Sequence, residues 1–253
     1  GNFWVLVLSR TIGGIASGNL SVATASIADV TSRKDRSKGM AIVGIAFGLG
    51  FVLGPALGGY ASNWDWSDGS SAALALSPFS LAALISFCLA VVNLVWLATR
   101  FRETLPAEKR GKENEQPRPA IFQIGNVANS AVRNTCLSYL CYMISFSGME
   151  FTLTFLAVER YLYEPKDITS MFLLIGFTLI FAQGFFVRRF VGKIGEKNMA
   201  LQGIVLGFVA FLLLSSPSSE TWFFFALFLM SCGVAFISPT LTALTSLHSS
   251  EQD

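Results

Sequence analysis

The chain has 253 residues, 53% of them hydrophobic and 13% charged, with a mean hydropathy of +0.57 and a formal net charge of +2. A soluble domain carries roughly 25% charged residues, so this composition excludes an ordinary water-soluble fold, and the lack of a basic patch interleaved with aromatics excludes nucleic acid as a partner. The four cysteines (Cys88, Cys136, Cys141 and Cys232) all lie inside apolar runs, where they read as reduced, packing side chains and not as a disulfide framework.

Apolar runs of about 20 residues mark membrane spans. In chain order seven are predicted, over residues 3–27, 40–61, 72–98, 135–157, 168–187, 199–214 and 222–247. Gly1 leads almost directly into the first, as an internal fragment would begin. The gaps alternate in charge. Arg33, Lys34, Arg36 and Lys38 follow the first span; Arg100 to Arg133, with seven basic residues, follows the third; Arg188, Arg189, Lys193 and Lys197 follow the fifth. Together these hold 15 of the 18 Lys and Arg. The other gaps carry mostly acid, with Asp65 and Asp68, then Glu159, Glu164 and Asp167, then Glu220. Basic loops stay on the cytoplasmic side, so the chain reads as starting outside and ending inside. Trp4, Trp64, Trp66, Trp96 and Trp222 fall near span ends, as interfacial rings do.

The same count and orientation describe heptahelical receptors, which stay open as the alternative, together with a truncated, non-transporting membrane protein. Against a receptor stands the long third gap. It is polar, mixes charges and carries Pro106, Pro117 and Pro119, so it reads as a linker between two bundles. The predicted organisation is therefore residues 1–99 as three helices of a first bundle, 100–133 as a cytoplasmic linker, and 134–253 as four helices of a second.

Within the spans, ionisable groups are expensive and are read as functional by default. Arg10 lies about seven residues into the first span, roughly 10 Å at 1.5 Å per residue; snorkelling to the outer interface is its alternative. Glu150 sits in the fourth span between Gly148 and Phe151, where it is expected to take and release a proton. Asn19 is the best neutral candidate for a cavity residue, while Asn93, Gln183 and Gln202 read as bonding across helices. Asp29 with Arg33 or Arg36 reads as an inner-end latch. His248 reads as a solvated tail residue, and Phe223, Phe224, Phe225 and Phe228 as lipid-facing bulk. No nucleophile elbow, metal-spaced cluster or P-loop is found, so no enzyme activity, cofactor or metal is expected.

The second span holds the most specific pattern, Gly50-x-x-x-Gly54-Pro55-x-x-Gly58-Gly59, with Gly44 and Gly48 four residues apart before it. Small residues at this spacing let helix backbones press together, and Pro55 removes a backbone donor where a bend acts as a gate or seal. This run resembles the gxxxGPxxGG antiporter motif on the fifth helix of major facilitator superfamily transporters. Arg10-Thr11-Ile12-Gly13-Gly14 resembles the RxxxG motif of their fourth helix, and Phe101-Arg102-Glu103-Thr104-Leu105-Pro106 resembles the exit from their sixth. Gly18-Asn19-Leu20-Ser21, Gly39-Met40-Ala41 and Phe146 to Leu153 are similar to the tetracycline transporter-like branch of drug/proton antiporters. Gly184-Phe185-Phe186-Val187-Arg188-Arg189 is a poor copy of the GxxxDRxGRR loop signature, with Arg188 where the acid belongs. The resemblance implies an all-α two-bundle membrane fold in which the seven spans correspond to helices four to ten of twelve. It also implies alternating-access transport of small organic solutes, organic anions or drugs, coupled to a proton or another ion, with Arg10 in proton coupling or substrate handling. The implied partners are a small-molecule substrate, the coupling ion and the lipid bilayer.

Overall fold

The computed structural model describes residues 3–17, 19–62, 80–104, 129–215 and 219–248. The regular structure among these is helical: α1 (Phe3–Ser17), α2 (Asn19–Val30), α3 (Arg36–Ser62), α4 (Ser80–Arg100), α5 (Ser130–Tyr161), α6 (Pro165–Phe181), a π-helical turn (Ala182–Val187), α7 (Arg188–Ile194), α8 (Glu196–Ser215) and α9 (Glu220–His248), with a short 3₁₀ turn at Arg33–Asp35. Seven stretches among the described residues are long and apolar enough to cross a membrane, because α1 with α2, and α6 with the π turn and α7, each form one span. Side chains such as Ile15 (78% exposed) and Phe151 (74%) face outward, as apolar surface on a membrane helix does. The protein is an integral, multi-pass membrane protein.

Local chemistry sets the helix ends. Asn129 caps α5 by accepting from the Ala131 N–H at 3.0 Å. Leu162 takes a left-handed conformation (φ 55°) that stops it. The Asp167 carboxylate accepts from the Glu164 N–H at 2.9 Å where α6 begins. The fifth span runs past its predicted end at residue 187. Its helix continues through Arg188 and Arg189, whose side chains are exposed, and ends only at Gly195, whose φ of 84° suits a residue without Cβ. The second span stays helical through Pro55.

Packing rests on glycine contacts. A Cβ added at Gly233 on α9 would lie 2.9 Å from the Gly203 carbonyl oxygen and 3.0 Å from the Gly207 nitrogen of α8, so these two backbones touch. At Gly48 on α3 an added Cβ would meet the Gly176 oxygen of α6 at 2.9 Å. Beside that crossing Phe51 stacks on Phe172, centroids 5.8 Å apart. At the basic end Ala41 packs with Val187, Val191 and Met199, so α3 is held to the later helices at two levels.

Two expectations need correcting. Phe223 is fully buried, not lipid-facing: it packs against Tyr161 (5.2 Å) and Tyr163 (6.1 Å), where α9 starts beneath the α5–α6 turn. Phe225 and Phe228 do face outward. All four cysteines are free, but Cys88 and Cys141 are exposed and do not pack in a core.

Tyr163, almost buried, donates from its hydroxyl to Glu220 Oε1 at 2.8 Å and ties the α5–α6 turn to α9. Burial, then the hydrogen bond to the Glu220 carboxylate, push its phenol well above the ordinary value near 10. The raised value means that the stabilisation is complete below pH 10 and is lost as pH rises beyond it. Tyr163→Phe is expected to cost roughly 1–2 kcal/mol at pH 7. Thermal melting in detergent should show that difference unchanged to pH 9 and shrinking above pH 10.

Candidate functional site

A cavity of about 870 Å³ opens between α2 and α3 on one side and α5, α6, the π turn and α9 on the other. Each wall comes from residues the local helix pattern turns the same way. Leu20, Ser21, Thr24, Ala28 and Asp29 line it from α2, and Met40, Val43, Gly44, Phe47 and Phe51 from α3. Cys136, Tyr139, Tyr142, Met143, Phe146 and Glu150 form a stripe three or four residues apart along α5. From α9 come Val234, Ser238, Pro239, Thr242, Thr245 and Ser246. The surface is mainly apolar and aromatic, with few polar groups, as small-molecule sites are.

Two carboxylates, Glu150 and Asp29, stand in the lining. Glu150 is on α5 with its side chain exposed to the cavity, and among the described residues no hydrogen bond or ion pair holds it. Asp29 ends the α2 wall and accepts from Thr104 Oγ1 at 3.1 Å. Asp29 and Arg36 are not paired, contrary to the simplest latch. The Arg36 guanidinium instead donates to Ser246 Oγ on α9 and to the Thr31 carbonyl at 3.1 Å. Beside it Ser37, buried, donates to Glu196 Oε1 at 3.1 Å. Among the described residues the one ion pair is Lys38 with Asp35, at 2.7 Å. The basic end is therefore joined by two hydrogen bonds, each with one charged partner, between distant parts of the chain.

Arg10, exposed on α1, is not among the residues lining this cavity. Asn19 begins α2, one residue before the cavity wall at Leu20; its side chain lies outside the described residues, as does that of His248. No described atom lies within 4 Å of a Cβ built at Gly50, Gly54, Gly58 or Gly59, whereas Gly44 and Gly48 are in close contact. Pro55 is half-buried. Sequence reasoning missed the Gly203, Gly207 and Gly233 contact, whose signal was the four-residue spacing in α8, and the Ser37–Glu196 bridge, which no local pattern announces. It also read Gln183 as a helix-bonding residue. In the structure Gln183 is buried at the cavity wall with its amide oxygen unbonded.

A helical membrane protein with a central cavity walled by helices from early and late parts of its chain is built as a solute carrier is. The chain belongs to the major facilitator superfamily, whose family model matches residues 1–253. It is similar to human "Major facilitator superfamily domain-containing protein 10", with 32% identity over 98% of this chain and 55% of that protein. It is also similar to "Tetracycline resistance protein, class B" of Escherichia coli, at 27% identity over 97% of this chain and 58% of that one. Among solved structures, the crystal structure of the human organic anion transporter MFSD10 (TETRAN) matches with a TM-score of 0.77 and 30% identity, covering 98% of this chain and 59% of that one. The chain thus spans little more than half the length of these relatives. Membership of the family replaces the receptor alternative.

Proposed function

We propose that the protein acts as a secondary-active transporter, moving small organic solutes by alternating access through the cavity between α2–α3 and α5–α9. The observation that carries this reading is the cavity itself: large enough for a drug-sized molecule, mainly apolar, with hydrogen bonds near its basic end joining early and late parts of the chain. In this reading residues 1–99 and 134–253 belong to two bundles that rock against each other, with 100–133 as their linker. Glu150 carries the coupling proton, Arg10 and Asn19 assist charge or substrate handling, and Asp29 and Arg36 work the inner latch through Thr104 and Ser246. Gly50, Gly54, Pro55, Gly58 and Gly59 form the sealing face of α3. The relatives' names point to organic anions and tetracyclines as the solutes to try first.

The test is uptake of tritiated tetracycline and of an organic anion by proteoliposomes carrying the full-length protein, with and without an imposed pH gradient. Accumulation that collapses with a protonophore is expected. Equilibration of both solutes at the same rate as in empty vesicles would remove the transport reading.

A further inference from the structure

We propose that Gln183 is the position that reads the ligand, its amide oxygen accepting a hydrogen bond from an N–H or O–H of a planar, donor-bearing molecule in the cavity. This deepens the transport reading and rests on it. Gln183 is 1% exposed, lines the cavity, and its Oε1 has no hydrogen-bond partner among the described residues. A buried acceptor left unbonded is destabilising, and an apolar side chain of similar shape would avoid that, so its presence calls for a partner from outside the helices.

Two features of the fold place it there. Gln183 lies in the π-helical turn Ala182–Val187, where an extra residue per turn re-aims side chains, and such turns recur at functional sites. Across from it Gly44 leaves the room the amide occupies: a Cβ at Gly44 would lie 1.8 Å from Oε1 and 2.3 Å from Cδ. Any other residue at 44 would displace the amide. The remaining wall explains why the ligand is planar. Tyr139, Tyr142 and Phe146 form a ring ladder on α5 with centroids 6.0 and 5.9 Å apart, and Phe47 lines the cavity from α3. Flat aromatic faces in a cavity that also holds an unbonded acceptor favour a flat ligand with a donor at its edge.

The experiment compares the unmodified full-length protein with Gln183→Met, a substitution of nearly the same shape without the acceptor. Thermal melting without ligand and equilibrium binding of tritiated tetracycline, a planar molecule carrying hydroxyl and carboxamide donors, are read in detergent. The expected result is a melting temperature at or above the unmodified value together with a Kd raised about tenfold. A lower melting temperature would show that the amide is satisfied within the protein or by a bound water, and overturns the proposal. An unchanged Kd overturns it too, and absence of tetracycline binding to the unmodified protein overturns the ligand class. Binding at equilibrium needs no gradient, so a failure of transport or of Glu150 leaves this result standing and separates the two readings.

Discussion

Gly233→Ala is expected to destabilise the protein by about 2–3 kcal/mol, the upper part of the range for overpacking a tight contact. The new methyl would meet two backbone atoms, the Gly203 oxygen at 2.9 Å and the Gly207 nitrogen at 3.0 Å, and neither can turn aside as a side chain could. Alanine's better helix propensity returns at most about 1 kcal/mol, so the clash wins. Gly48→Ala should behave alike, since its neighbours include the Gly176 oxygen at 2.9 Å and the Ile180 nitrogen at 3.2 Å. Gly50→Ala and Gly58→Ala meet nothing within 4 Å and should be neutral to stabilising, by up to about 1 kcal/mol. Melting temperatures of the four variants in one detergent check this. A larger loss at Gly50 than at Gly233 would mean that the far face of α3 is packed after all in the full-length protein.

Glu150→Gln should leave the fold intact and remove the response to a pH gradient. The side chain is exposed to the cavity and bonded to nothing among the described residues, so exchanging carboxylate for amide breaks no contact there. A gradient of one pH unit is worth 1.36 kcal/mol per proton, enough for about tenfold accumulation when one proton moves with each solute. In proteoliposomes the variant's accumulation ratio should therefore fall from near ten to near one, while exchange of labelled for unlabelled solute persists. A variant that still accumulates tenfold would assign the proton to another group, with Asp29, the other carboxylate in the lining, next in line.

How much could be read without the structure differs from element to element. Apolar length and the alternation of charge between gaps need no tertiary information, because the bilayer acts on each span separately. Hence the seven spans, the membrane setting and the family were all readable, and so was Glu150 as a charge that must face something other than lipid. The fifth span ran longer than expected because hydropathy falls at Arg188, whereas the backbone continues until Gly195 permits a turn. Phe223 was misplaced because a phenylalanine facing lipid and one facing a neighbouring helix look alike in an apolar run.

What the sequence alone determined is what each segment prefers by itself: to cross the membrane, with glycines available for contact. What only the tertiary structure decided is which of several equivalent faces meets a neighbour. Helix α3 carries glycines around much of its circumference; the partner helix α6 selects Gly48 for contact and the π turn after it selects Gly44, while Gly50 and Gly54 point away. The same holds for the Arg36–Ser246 and Ser37–Glu196 bridges, and for the unbonded oxygen of Gln183. Each depends on residues far apart in the chain arriving at one place, and in lipid, where apolar surface is not itself attractive between helices, only close packing and polar contacts make that choice.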